Sequence, residues 1–391
     1  MTSSTHRRRD RGIYTVTAAM SGVLYLVLLI APILTIKLDD SLGFSPAQIG
    51  MVFSFELGAF GLATVPAYLW LRRINVRTAA YGFGLVVVLG NIVSGFVSEF
   101  EMFILVRVLV AFASGSITVI VLGLGGRSSN PARAFGLFVL AQCITGAAVL
   151  FMFPVVFTGL PVSALYWSIA GLTAIVLPVI RLIDGNLLKA AETEQNSAGA
   201  APRNMPKYLA GLAAVFFLFA AAGGLWAFYA VFADAEGISV EGASFSLSLA
   251  TILGIAAPLT ATLLGDRPKV RPYLVIGFLL LLISLGLVLR MDSVVVFAIS
   301  ATLFNLGWNF LPAYLFAQVG AASGGSPHAL STTNLMVGLA FAVGPSAVGS
   351  LLEKPEGIFW ALISGIAVLG LGLVCAVLSA VSNRAPALQT V

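Results

Sequence analysis

Apolar stretches of about 20 residues recur along the chain roughly every 30 residues, separated by short polar connectors. About 20 apolar residues cross a bilayer as one helix. The pattern therefore predicts helical spans over 13–36, 47–71, 79–98, 102–124, 131–157, 162–183, 208–233, 241–264, 273–290, 294–317, 329–351 and 357–381. A transmembrane barrel would need short alternating segments, whereas runs such as Val275 to Leu289 are apolar on every side. The start resembles a signal peptide in having basic residues before an apolar run. That run of 24 residues exceeds a signal peptide's apolar core, so it reads as a retained first helix.

Pairs of matching signals lie about 194 residues apart, half the chain length. Gly43-Phe44-Ser45 follows the first span and Gly237-Ile238-Ser239 the seventh. Ser45 with Pro46 and Gln48 reads as an N-cap, a first-turn proline and a capping-box glutamine. Arg77 with Gly82-Phe83 is matched by Arg271 with Gly277-Phe278. The fold class is thus an all-α integral membrane protein, twelve transmembrane helices in two pseudo-symmetric six-helix bundles. The expected divisions are a basic N-terminus over 1–12, bundles over 13–183 and 208–381, a polar linker over 184–207 and a tail over 382–391. A parallel repeat of this kind points to a secondary transporter.

Of 391 residues, 59% are hydrophobic and 9% charged. Soluble domains carry about 25% charge, so the solvent here is mainly lipid. With the N-terminus cytoplasmic, the inner segments hold seventeen of the 21 cations against five carboxylates; the outer loops hold three against ten. This asymmetry follows the positive-inside rule and places both termini in the cytoplasm of a cell (inner) membrane protein. The net charge of +5 is a matter of membrane topology and implies no nucleic-acid partner.

At this point the chain resembles the major facilitator superfamily over nearly its whole length. The family's loop signature, Gly-x-Leu-x-Asp-Arg followed by basic residues, is matched by Leu264-Gly265-Asp266-Arg267 with Lys269 and Arg271, although Thr262 replaces the first glycine. In the first half only Leu69, Arg72 and Arg77 keep the pattern, with Ala67 for glycine and Leu71 for aspartate. Arg107 with Ala111, Ala113 and Gly115 is similar to the family's membrane-embedded arginine and its downstream small residues. The resemblance implies two bundles rocking about a central site, and a gate at the signature loops. Asp266, Arg267, Arg72 and Arg77 are the gating candidates. Asp266 is expected to face the fifth helix, where Asn130 and Pro131 read as N-cap and first residue.

No phosphate-cradling Gly-x-x-x-x-Gly-Lys-Ser/Thr loop and no Gly-x-Ser-x-Gly elbow occurs, and His6 and His328 cannot form a His-Glu-x-x-His site. The chain therefore reads as neither ATP-driven nor an enzyme, and needs no cofactor. Cys143 and Cys375 fall within spans as small apolar residues rather than a disulfide.

Glu56 is the one carboxylate well inside a span, about 15 Å deep at ~1.5 Å per residue. A charged acid there costs on the order of 2.5–3.5 kcal/mol, so it is either a proton carrier or a protonated group bonded to a neighbouring helix. Arg107, the one intramembrane cation, has three readings: attracting an anionic substrate, pairing with Glu56, or snorkelling outward. Asn305 and Asn309 lie one turn apart beside Trp308, for substrate or for helix–helix hydrogen bonds. The resemblance makes the first and fourth helices of each half cavity-lining, which adds Tyr25, Trp226 and Tyr229; Gln142 is a further buried amide. Gly223-Gly224 and Gly344-Pro345 are either flex points or sites of close packing.

Proton-driven drug exporters of the superfamily carry a Gly-Pro pair in the fifth helix; here it falls at Gly344-Pro345 in the eleventh. The expected function is proton-coupled uptake, by a functional monomer, of a small, partly apolar organic solute, with a carboxylate among the candidates. Efflux and uncoupled facilitation are the alternatives.

Overall fold

The computed structural model describes residues 3–71, 73–188, 204–264, 270–324 and 327–380. These are helical throughout, with no strand among the described residues. Among the described residues, eleven helical spans are long and apolar enough to cross a membrane. The first span makes the twelfth, in three pieces, Ser3–Leu24, Leu26–Leu29 and Ala31–Leu42, interrupted at Tyr25 and Ile30. It starts well before residue 13, because the basic stretch continues the helix instead of forming a separate N-terminus. Asp10, only 7% exposed, anchors that extension by accepting from the Ser129 amide at 3.2 Å.

The repeat is visible in backbone detail. Gly43 and Gly237 both take the left-handed conformation, φ 65° and 72°, which a side chain would oppose. Each ends a span so that the N-cap of the next lies two residues on. Ser45 accepts from the Gln48 amide while Gln48 returns a bond to the Ser45 backbone, the full capping box. Ser239 accepts from the Gly242 amide. The seventh span breaks at Phe228, between Met205–Ala227 and Tyr229–Ala235, as the first breaks at Ile30. Asn130, with Pro131 behind it, caps the fifth span through the Arg133 amide.

We call the membrane face where the sixth span ends and the seventh begins the linker face, and the other the far face. Of the linker expected over 184–207, residues 189–203 lie outside the described residues. Its first residues are packed rather than loose: Leu188 is buried, and the Gly185 carbonyl accepts from the Val76 amide at 2.9 Å. Arg77 donates its guanidinium to the Ile183 carbonyl. It therefore ties the third span to the end of the sixth within one half. Arg72, Asp266 and Arg267 lie outside the described residues.

Lipid offers no hydrophobic drive between helices, so close approach of backbones holds them. A Cβ on Gly344 would come within 2.1 Å of the Ala220 carbonyl, and one on Gly224 within 2.6 Å of the Gly344 carbonyl. The Gly-Gly and Gly-Pro pairs are thus contact points between the seventh and eleventh spans, and the eleventh runs unbroken through Pro345 over Pro327–Leu352. Between the halves, a Cβ on Gly50 would sit 2.5 Å from the Pro345 carbonyl, and one on Gly61 2.5 Å from Gly338 Cα.

These contacts separate two effects. Gly344→Ala overpacks one half and should lower stability by about 1–3 kcal/mol, read as a lower Tm in detergent. Gly50→Ala crowds the interface between halves and should instead leave Tm nearly unchanged while parting them on the far face. Spin labels at Asp40→Cys and Glu236→Cys, with Cys143 and Cys375 replaced by serine, would then report a longer distance.

Candidate functional site

The far halves of the two bundles are in contact from mid-membrane to the far face. Trp226 Nε1 donates to the Leu28 carbonyl at 2.9 Å and Thr35 to the Ala227 carbonyl at 2.6 Å, joining the broken first and seventh spans. Ser54 accepts from the Ser346 amide at 2.9 Å, and Ser248 donates to the Ala147 carbonyl at 2.9 Å. At the far face itself Glu353, just past the eleventh span, accepts from Ser45 Oγ at 2.5 Å and from the Ala47 amide at 3.3 Å. A carboxylate from one half therefore sits on the N-terminus of the second span of the other, where the helix dipole favours negative charge.

Below this closure lies a cavity of about 1010 Å³ between the halves. Its lining reaches Leu71, Gly123, Phe316 and Asn334, near the linker-face ends of their helices, so it extends toward the linker face. Tyr25, Gln142, Trp226, Asn305, Trp308 and Asn309 all line it, as do Glu56 and Arg107. Tyr25 is set edge-on against Phe60 and Phe138, at 4.9 and 5.5 Å between ring centres.

Glu56 and Arg107 form the one ion pair among the described residues, at 3% and 1% exposure. Of the three readings of Arg107, pairing is the one the geometry realises. Its Nε donates to one carboxylate oxygen of Glu56 at 3.1 Å and its Nη2 to the other, a two-pronged contact. Nη1 donates to Asn91 Oδ1 at 2.9 Å and to Ser94 Oγ at 3.2 Å, and the guanidinium lies 4.6 Å from the centre of the Tyr166 ring. Four helices thus converge on one cation. Sequence reading missed Asn91, Ser94 and Tyr166. The signal for the first two was present, a pair of polar residues nearly one turn apart in an otherwise apolar span.

Tyr229 is not brought to the cavity. It is fully buried inside the second half, its hydroxyl bonded to Ser284 and Ser300 at 2.7 and 2.5 Å, because the break at Phe228 turns it toward the ninth and tenth spans. Asn305 and Asn309 turn their amide nitrogens back to the carbonyls of Ala301 and Asn305, at 3.1 and 2.9 Å. Gln142 Nε2 is buried without a partner. On the second half's wall, the Trp226 and Trp308 rings flank Phe304 with planes within 17° and 16° of it.

Two bundles of six helices, related by repeat and enclosing a cavity that reaches one face, match a known group. Its sequence profile, described as Major Facilitator Superfamily, matches residues 13–345. The chain belongs to the Major Facilitator Superfamily. Its function is accordingly membrane transport rather than a catalysed reaction. Among solved structures, a mutant of the nucleoside transporter NupG aligns with a TM-score of 0.74 at 14% identity, over 93% of this chain and 98% of that one. NupG itself gives 0.69 at 16%, over 95% and 97%. A bacterial homologue of the human lysosomal transporter Spinster, in an inward-facing and unoccupied conformation, gives 0.69 at 15%, over 97% and 98%. At these identities the likeness is one of fold.

Two outcomes follow from the site. Arg107→Gln and Glu56→Leu each strand a buried partner and should destabilise the protein by about 3–5 kcal/mol, whereas Arg107→Gln combined with Glu56→Leu should regain much of that loss in thermal unfolding. Removing the far-face contacts with Glu353→Ala should shift the equilibrium about fivefold toward far-face opening, as expected when an exposed carboxylate gives up its bonds to Ser45 and Ala47 at a cost of about 1 kcal/mol. The Asp40–Glu236 label distance would measure it.

Proposed function

We propose that this transporter takes up a small, partly apolar organic solute by alternating access and couples it to protons through Glu56 and Arg107. The observation that carries this reading is the ion pair in the cavity wall. While the guanidinium holds both carboxylate oxygens, the pair is neutral as a unit and passes through the bilayer's interior without net charge. A proton taken up by Glu56 frees the fork, and Arg107 stays in place on Asn91, Ser94 and Tyr166. Its uncompensated charge then draws an oxygen of the solute. Return of the proton lets Glu56 reclaim the fork and expel the solute.

The linker face is read as cytoplasmic from its basic loops, which makes the cavity inward-facing, like that of the Spinster homologue, and both termini internal to the cell (inner) membrane. Uptake is favoured over export because Gly136 and Gly146 of the fifth span lack the adjoining proline that drug exporters carry. With a neutral solute, one proton moving across 100 mV supplies about 2.3 kcal/mol, a gradient of roughly fifty-fold. With a carboxylate solute the step is electroneutral and is driven by the pH difference alone.

The test uses a ligand from a thermal-shift screen of small organic acids and amides, in proteoliposomes with an acidic exterior. Wild type should accumulate it, and Glu56→Gln should keep counterflow while losing accumulation. Normal accumulation by Glu56→Gln would remove the proton role.

A further inference from the structure

Asn305 and Asn309 sit one turn apart on the tenth span, Val294–Ala322, and both line the cavity. The Nδ2 of each donates to the carbonyl four residues back, that of Ala301 and that of Asn305. A carbonyl oxygen only accepts, so the nitrogen of each amide must face its own helix and the Oδ1 is turned away from it. No described residue donates to either oxygen, and neither oxygen is sealed off. Both are acceptors open to the cavity. Beside them the eighth span has Gly254, just before its break at Ile255. A Cβ there would lie 3.1 Å from Asn305 Cβ, 3.2 Å from Asn309 Nδ2 and 3.6 Å from Asn305 Oδ1. The glycine leaves that approach clear.

The repeat shows what is particular to this wall. At the 194-residue offset Asn305 and Asn309 match Ala111 and Gly115 of the fourth span, and Gly254 matches Phe60 of the second. In the first half the glycine lies on the fourth span, where a Cβ on Gly115 would sit 2.2 Å from the Phe60 carbonyl. In the second half the glycine has crossed to the partner helix, and the facing positions carry two carboxamides. Close packing needs only the small residue; it does not need the amides. An acceptor left open inside a membrane protein is matched by the donor that enters the cavity. We infer that the transported solute carries an N–H or O–H group that donates to Asn305 Oδ1 and Asn309 Oδ1. This rests on the transport reading above in taking the same cavity as the solute site, and it supplies the solute's other end, since Arg107 is proposed there to draw an oxygen. It requires neither proton coupling nor a direction of transport.

Binding reads the preference with no gradient imposed. Ligand-observed saturation-transfer NMR on the full chain in nanodiscs, with empty nanodiscs subtracted, would be titrated with three pairs in which methyl groups replace the donor hydrogens. These are benzamide with N,N-dimethylbenzamide, benzyl alcohol with benzyl methyl ether, and benzylammonium with benzyltrimethylammonium. The donor-bearing member of at least one pair should bind about fivefold more tightly than its capped partner, as expected for one hydrogen bond. Asn305→Leu and Asn309→Leu should each reduce that preference to about twofold or less, and the two combined should abolish it, while the capped compound stays within about twofold of its wild-type affinity.

Equal binding within all three pairs, or absence of binding by all six compounds, would overturn the inference. So would a preference undiminished in both single variants, which is the result expected if the amides serve only to brace the tenth span or if the methyl groups act by their bulk. The single variants decide the matter should the combined one fail to fold. Glu56→Gln keeps the donor preference whether or not it abolishes proton-driven accumulation, so failure of the coupling mechanism and failure of the acceptor site give different results.

Discussion

Hydrocarbon gives a charge or an amide nothing to bind, and this single constraint organises the protein. Glu56 and Arg107 persist at 3% and 1% exposure because each completes the other, and because Asn91, Ser94 and Tyr166 take what remains of the guanidinium. Removing any one of these partners would leave polar groups unmatched where water is scarce. The second, third, fourth and sixth spans are thereby drawn together around one point. The first half of the molecule is built about an electrostatic centre.

The second half answers the same constraint with neutral groups. Where the first half gathers an ion pair, the second gathers Tyr229, Ser284 and Ser300 into a closed hydroxyl cluster between the seventh, ninth and tenth spans. Its cavity wall is left to flat aromatic rings and to amides that bond back to their own helices. The halves therefore share a backbone plan and divide the chemistry. Rocking requires them to part at one face and meet at the other. The far-face contacts suit that need, since they are small residues at backbone distance, single hydrogen bonds and one carboxylate on a helix end, each replaceable by water.

Much of this was legible in the residues. The spans were, because apolar length is a direct measure of bilayer thickness. So were the capping box at Ser45, the cap at Asn130 and the repeat at Gly43 and Gly237, because caps and left-handed turns depend on a few neighbouring residues. Glu56 and Arg107 stood out because charges in apolar runs are rare. Tyr229 was misplaced because membership of a cavity-lining helix does not set the direction of a side chain beyond a break. The partner of Arg77, the Ile183 carbonyl, was not legible because it is a backbone group with no signature in the sequence.

The sequence by itself determined the solvent, the number of helices, their pairing into two halves and the two charges on which coupling is proposed to rest. These are one-dimensional properties, set by hydropathy, spacing and local caps. Only the tertiary structure decided that Arg107 grips Glu56, which face of the molecule is closed, and that Trp226, Phe304 and Trp308 stack on one another beside the cavity while Tyr229 is sealed away. Each of those depends on the relative rotation of helices far apart in the chain. That rotation is fixed by close backbone contacts at residues such as Gly50, Gly61 and Gly344, whose partners no local pattern names.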